Sequence, residues 1–339
     1  MPASDEFSAE QRVAELEQAA RRLQRQLAQT KAKTADLIAA VYEAAHDAAL
    51  VSGTPSPVAA PKPDKRKGGE VALLHMTDTH IGAVTPTFNT DIAHERIRET
   101  IAKTVALSEI QRADHPVDEC VLMLGGDHIE QTAQFPNQSW AVDGSTFQQI
   151  FNAASFIQEA ILTLLANFTK VRVFSVPGNH GRVGKGKGRQ SVEYESATNW
   201  DSILFQICRD QLGQQDRLEW THSGEWYEII EIGKYRALLH HGDLIRGFGG
   251  NIPAYGILRR HLSWSAGVLP EFRDAYLGHF HTPMTLPLTN GTGRVFVTPS
   301  LVSDSAYAKE WVGSASVPAQ RLHFIHPERG VTGEFLLWV

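Results

Sequence analysis

The sequence predicts an α/β body over residues 71–339, led by an N-terminal helix over 1–50 and a linker over 51–70. Three observations carry this. From Val71 onward, short apolar runs alternate with longer amphipathic ones, the pattern of strands and covering helices. The first fifty residues are rich in Ala, Gln, Glu, Arg and Leu, with no Gly and no Pro after Pro2. Between the two lies SGTPSPVAAPKPDKRKGG, with four prolines, a basic cluster and a closing glycine pair, the composition of an extended solvated segment.

In the first fifty residues, Val13, Leu16, Ala20, Leu23, Leu27, Thr30, Thr34, Leu37, Val41, Ala44 and Ala48 recur at alternating three and four spacing. That is a heptad seam, and it predicts a coiled coil through which the chain forms a homo-oligomer. Lys62, Lys65, Arg66 and Lys67 read as solvated linker charges. In the body, VALLHMTD is a first strand, residues 91–110 a helix through Ile92, Ile97, Ile101 and Val105, and CVLMLGGD a second strand. A second helix over 145–168 leads to a third strand, VRVFSVPGNH. WYEIIEIGKYRALLHHGD reads as a hairpin turned at Gly233. AYLGHFH, GRVFVTPSLV and RLHFIHPERGVTGEFLLWV then make the C-terminal third nearly all strand.

Composition narrows the class. With 42% hydrophobic and 21% charged residues the chain is an ordinary globular one. A net charge of −6 excludes a generally basic nucleic-acid-coating protein while leaving room for a local basic patch. Cys120 and Cys208 are too few for a disulfide framework and sit among apolar residues, so both are expected as buried reduced thiols. No run approaches the roughly 18 apolar residues that span a bilayer. MPASDEFSAE has no basic and then apolar order, so the expected setting is cytoplasmic, without membrane contact.

The chemistry lies where strands end. The first strand runs into Asp78-Thr79-His80, the second into Gly126-Asp127, the third into Gly178-Asn179-His180. The later ones run into His240-His241-Gly242-Asp243 and Gly278-His279-Phe280-His281. Carboxyl ends of strands in an α/β sheet line one crevice, so these blocks can converge. On an extended backbone the first and third side chains of Asp-x-His and His-x-His project to the same side, so each pair is expected to grip one site. Oxygen and imidazole donors without thiolate suit Mn²⁺, Fe, Zn²⁺ or Mg²⁺, and the histidine content favours transition metals, Mn²⁺ first. His75, His94, His115, His222, His261, His323 and His326 are read as structural, and His128 as a residue beside the site.

These five blocks, in this order over roughly residues 71–300, resemble the calcineurin-like metallophosphoesterases. The resemblance implies a β-sandwich of two mixed sheets flanked by helices, with two metals at one edge. It implies that Asp78, His80 and His281 hold one metal and that Asn179, His279 and His241 (or His240) hold the other, with Asp127 bridging. Two such cations, about 3.5–4 Å apart, would arm a bridging hydroxide for in-line attack on phosphorus. His180 would act as general acid. The chain departs from the family at Gly181, where relatives place Asp or Glu; Glu193, Glu195 or Asp243 are candidates to orient His180 instead.

Beside the third block, GRVGKGKGRQ carries Arg182, Lys185, Lys187 and Arg189, a basic loop suited to substrate phosphates. Arg246, Arg259 and Arg260, with Phe248 and Tyr255, would extend that rim. The expected function is a dinuclear metal-dependent phosphodiesterase acting on nucleic acid or nucleotides. The alternatives are a phosphomonoesterase, including a phosphoprotein phosphatase, and a non-catalytic scaffold.

Overall fold

The computed structural model describes residues 36, 39–43, 47, 54–132, 138–183, 199–245, 253–288, 293–304 and 317–339. Residues Met1–Ala48 and Ala49–Val339 form separate compact units. In the first, the described residues are helical; the heptad seam as a whole lies outside them.

The second unit opens with the proline-rich segment, which has no regular structure from 54 to 66. It is fastened to the body. Gln215 accepts from Val58 N–H at 3.0 Å and donates to the carbonyls of Pro55 and Ser56, and Arg217 donates to the Val58 carbonyl. Asp64 N–H donates to Asp118 at 3.0 Å.

The body is an α/β sandwich of two sheets. Its elements are β1 Val71–Met76, α1 Thr90–Arg112, β2 Glu119–Leu124, α2 Thr146–Asn167, β3 Lys170–Ser175, α3 Trp200–Gln211 and β4 Leu218–Thr221. There follow β5 Tyr227–Ile232, β6 Tyr235–His240, α4 Ala254–Ser263, β7 Asp274–Leu277, β8 Met284–Pro287, β9 Arg294–Val297, β10 Ala319–His326 and β11 Gly330–Trp338. One sheet has the order β11-β10-β1-β2-β3-β4 and the other β5-β6-β7-β9-β8. Strands β1 to β4 run parallel, as do β6, β7 and β9, so each set presents its carboxyl ends together.

The two faces of β1 explain its unbroken apolar run. Val71 and Leu73 join Val121, Met123, Phe174, Ile230, Tyr235, Leu239, Tyr276, Phe296 and Ile325 in the core between the sheets. Ala72, Leu74 and Met76 are fully buried on the alternate face. Burial of both faces removes the alternation that a half-exposed strand would show. Beyond the second sheet, Ile257 and Trp264 pack with Leu238, Ala275, Leu277, Val295 and Val297. Helix α2 buries Ile150, Ala153, Ala154, Ile157, Ile161, Leu164 and Leu165, a stripe at helical spacing. Ser145 caps it, with Gln148 completing the reciprocal capping box.

The structure corrects the C-terminal reading: α4 interrupts what was expected to be nearly all strand. Only Ile257 and His261 of its ten residues are buried, which leaves little helical periodicity to read. Helix α3 and strands β4 and β8 also went unread. Both cysteines are buried and free.

Candidate metal centre

Each motif block begins within three residues of a strand's carboxyl end, and in the first, second and fifth blocks the ligand backbone is left-handed. Asp78, His80, Asp127, His279 and His281 all have φ between 43° and 65°. Such conformations cost about 1–3 kcal/mol each and persist only where the surroundings impose them. This corrects the sequence reading in which both motifs were extended: Asp78 and His80 do share one cluster, as expected, but His279 and His281 do not. The left-handed turns aim His279 and His281 at different clusters. Asp78, His80 and His281 bring donor atoms within 4.8 Å of one another, and so do Asp127, His241 and His279.

Close backbone approach makes this possible. The His279 N–H donates to both oxygens of Asp78, at 3.1 and 3.0 Å. A side chain at Gly278 would overlap that carboxylate. Ser300 Oγ and the Leu301 N–H hold the Asp78 carbonyl. Gln320, on β10, accepts from Thr77 N–H at 2.7 Å and donates to the Thr77 and Pro299 carbonyls. Asp201, the second residue of α3, accepts from Asp127, His128 and Gly178 N–H at 2.9, 3.2 and 2.9 Å, fastening the second and third blocks together. Burial and the neighbouring Asp127 charge push its carboxyl up to about 6. Neither Gln320 nor Asp201 was read from the sequence, because each acts across more than twenty residues and lies in no motif block.

The donor nitrogens show what the clusters can hold. His80 Nδ1 lies 2.7 Å from Glu130 Oε2 and so carries the hydrogen, leaving Nε2 with a bare lone pair. That Nε2 faces His281 Nε2 at 3.1 Å, and His281 Nε2 in turn lies 3.2 Å from Asp78 Oδ1. His241 Nδ1 donates to the Gly125 carbonyl at 2.9 Å, so its Nε2 lone pair faces Asp127 Oδ2 at 2.9 Å and Asn179 Oδ1 at 3.1 Å. At His241 Nε2, lone pairs meeting lone pairs at these distances need a cation between them, a proton or a metal. The donor set fits a divalent transition metal.

Electrostatics agree. Burial alone would raise Asp78, but His281 and His80 hold it well below the usual carboxylate range. Burial would depress His241, but Asp127 outweighs it and carries the imidazole up to about 10. His80 is likewise raised against its burial by Asp78 and Glu130. His279 is lowered to about 4 by burial and by the charge of His241, so it is a neutral donor at pH 7. Protons thus stand where metal ions would.

The choice between His240 and His241 has a structural answer. His240 is the last residue of β6 and points away from the clusters, its Nε2 2.9 Å from His261 Nε2, packed edge-on to Trp264. His241, one residue on, faces Asp127. His128 is fully buried against Phe205, touching Thr79 rather than the open side of the site.

Glu130 is the residue the sequence reading missed at His180. His180 Nδ1 lies 3.0 Å from the Glu130 carbonyl and 3.3 Å from its Oε2, and His180 N–H donates to Asp127 Oδ1 at 2.7 Å. Burial lowers His180, but Glu130 and Asp127 prevail and raise it. Asp243 pairs instead with Arg182, and Glu193 and Glu195 lie outside the described residues. Gly181 carries no acid for a steric reason: any side chain there would overlap the Asn199 side-chain oxygen. A carboxylate three residues after Asp127 was the available signal.

Of the expected substrate-binding residues, Arg182 sits at the site and is paired with Asp243; Lys185, Lys187 and Arg189 lie outside the described residues. So do Arg246 and Phe248. Tyr255, Arg259 and Arg260 form the exposed face of α4, with the Arg260 guanidinium 5.8 Å from the Trp264 ring centre.

No protein-family description matches the chain, and no curated protein matches it. Solved structures it is similar to include a predicted phosphoesterase from Streptococcus pneumoniae, at 13% identity over 79% of this chain and 98% of that one, TM-score 0.32. An archaeal phosphodiesterase is 11% identical over 78% and 99%, TM-score 0.36. A purple acid phosphatase from yellow lupin is 12% identical over 84% and 55%, TM-score 0.36. The two-sheet sandwich with the motif blocks gathered at one edge is the fold that the resemblance to calcineurin-like metallophosphoesterases implies.

Proposed function

We propose that this chain is a calcineurin-like metallophosphoesterase that hydrolyses phosphodiester bonds in nucleic acid or nucleotides with two divalent metal ions, Mn²⁺ first. The observation that carries the reading is the pair of clusters, Asp78-His80-His281 and Asp127-His241-His279, each closing on a common point. Asp78, His80 and His281 would hold one ion and Asn179, His241 and His279 the other, with Asp127 between them. Bound there, the ions would lower the pKa of water and draw charge from the phosphoryl oxygens.

The protein's own groups supply the rest. Glu130 faces His180 Nδ1, which assigns Nε2 to the leaving oxygen, and the raised pKa keeps a proton available for it. Asp201 and Gln320 hold the ligand-bearing loops, so the ligands are in place before substrate arrives. Arg182 at this centre, with Lys185, Lys187 and Arg189 following it in the sequence, favours a diester polyanion over a single terminal phosphate. The full ligand set disfavours a non-catalytic scaffold.

The test is metal analysis with hydrolysis. Purified protein should bind two Mn²⁺ and cleave bis-p-nitrophenyl phosphate in preference to p-nitrophenyl phosphate, and Asp127→Ala should lose both ions and the activity. Activity confined to the monoester would overturn the diester reading, and an Asp127→Ala variant as fast as the parent would overturn the metal centre.

A further inference from the structure

Asp243 is the one acid of the five motif blocks that no metal cluster takes up, and Glu130 rather than Asp243 faces His180. Its partner is the Arg182 guanidinium. The ion pair joins the third block, which follows the six-stranded sheet, to the fourth, which follows the five-stranded one. It lies beside the second cluster: Asn179 Oδ1, three residues before Arg182, meets His241 Nε2, two residues before Asp243, at 3.1 Å. Both ends are fixed. Arg182 N–H donates to the Asn179 carbonyl at 3.4 Å, and the Arg182 carbonyl accepts from Gln131 at 2.8 Å. Asp243 lies in a turn closed by Ile245 N–H on the Gly242 carbonyl at 3.0 Å, and a Cβ on Gly242 would stand 3.1 Å from the Cβ of His279. The Asp243 side chain is 14% exposed. Its carboxylate therefore stands at the rim of the Asp127-His241-His279 cluster with one side in solvent.

Its field is felt in that cluster. Burial and His241 lower His279, and of the carboxylates that oppose this fall Asp243 acts ahead of Asp127, itself a member of the cluster. Against burial, His241 is raised by Asp127, by Asp78 and then by Asp243. The other acids nearby are engaged, Glu130 by His80 and His180, and Asp201 by three backbone N–H groups. A phosphate bound at the second cluster would therefore meet the charge of Asp243. A phosphodiester brings one negative charge there, and a phosphomonoester about 1.5 to 2 at pH 7. A built-in repulsion rejects a competitor that the attractive contacts of a site would accept. Arg182 holds the carboxylate in place and offsets part of its charge, which keeps the singly charged ester tolerated. We propose that Asp243 is a specificity-determining residue that turns away the second negative charge of a phosphomonoester and so admits the diester. Arg182 and the cations that follow it draw in a chain of phosphates, while Asp243 limits the charge of the reacting one. The proposal rests on the phosphodiesterase reading and gives its diester preference a cause.

The test is the selectivity of the Mn²⁺-loaded full chain between two esters with the same leaving group, p-nitrophenyl phosphate and bis-p-nitrophenyl phosphate, each read as kcat/KM. Asp243→Asn should raise the monoester-to-diester ratio about 10-fold. Asp243→Glu should keep the parent's ratio. Arg182→Ala, which leaves the carboxylate without its cation, should move the ratio the other way. Equal changes on both esters in Asp243→Asn would make the ion pair a clasp between two loops and overturn the proposal, as would ratios that move in the same direction in Asp243→Asn and Arg182→Ala. Calorimetry on the same loaded proteins reads the effect without turnover. Asp243→Asn should bind inorganic phosphate about 10-fold more tightly and dimethyl phosphate as the parent does. Matched changes for the two ligands, or none, overturn the proposal. A parent that hydrolyses neither ester sinks the catalytic reading, and the two binding constants then judge Asp243 by themselves.

Discussion

Replacing Glu130 by Gln removes one negative charge that faces two imidazoles, His80 Nδ1 at 2.7 Å and His180 Nδ1 at 3.3 Å. A hydrogen bond to a charged partner contributes about 1.5–3 kcal/mol and a neutral one about 0.5–1.5, so each histidine loses roughly 1–1.5 kcal/mol, near tenfold. The loss at His80 falls on metal affinity, since His80 presents its other nitrogen to the cluster; the loss at His180 falls on proton delivery. Two substrates separate them. p-Nitrophenolate leaves as a stable anion and needs little protonation, whereas the alkoxide of a dinucleotide needs a proton. At limiting Mn²⁺, Glu130→Gln should slow bis-p-nitrophenyl phosphate about tenfold and the dinucleotide about a hundredfold. At saturating Mn²⁺ the first deficit should vanish and the second should shrink to about tenfold. Steady-state kinetics with both substrates across a Mn²⁺ titration decides it. Equal losses at every metal concentration would refute the link to His180, and no loss would refute both roles.

Other expectations follow from the same geometry. In the metal-free protein His241 keeps its proton up to about pH 10, against an ordinary value of 6.5. That proton stabilises the metal-free fold fully below pH 6.5, and the contribution is lost as pH rises through 10. Because Mn²⁺ must displace it, affinity should rise with pH over that window, about tenfold per unit for each proton released. Calorimetry in buffers of different ionisation enthalpy would detect the protons, and a pH-independent affinity would contradict the assignment. Gly181→Ala should destabilise by about 1–3 kcal/mol in urea unfolding through overlap with Asn199, with a smaller penalty in an Asn199→Ala background. An equal penalty in both backgrounds would show that the clash is elsewhere. A chain shortened to begin near Gly69 should form a smaller assembly by light scattering with chemistry intact, and an unchanged mass would count against self-association through residues 1–50.

Much of this was legible in the sequence because strand ends and ligands are adjacent in the chain. β1, β2, β3, β6 and β7 and their motif blocks lie where the apolar runs and the Asp, Asn and His residues place them. What escaped is long-range. His240 and His241 both fit the end of a strand; only the packing of His240 against His261 and Trp264, more than twenty residues on, separates them. Gly181 looked like a missing acid until Asn199 was found to occupy its side-chain space. The local geometry of Asp78-x-His80 escaped as well, since left-handed non-glycine backbone is imposed by surrounding contacts rather than by residue preference. Helix α4 was lost because a ten-residue helix with two buried positions has little periodicity to read.

The candidate ligands come from both sheets: Asp78, Asp127 and Asn179 follow strands of the six-stranded one, while His241 and His279 follow strands of the five-stranded one. Cations shared among them would rivet the two layers along a single rim, so loading should raise the melting temperature as well as confer chemistry. Stripped of ions, the sandwich would part first along that seam, and amide exchange would mark it as the place where unfolding begins.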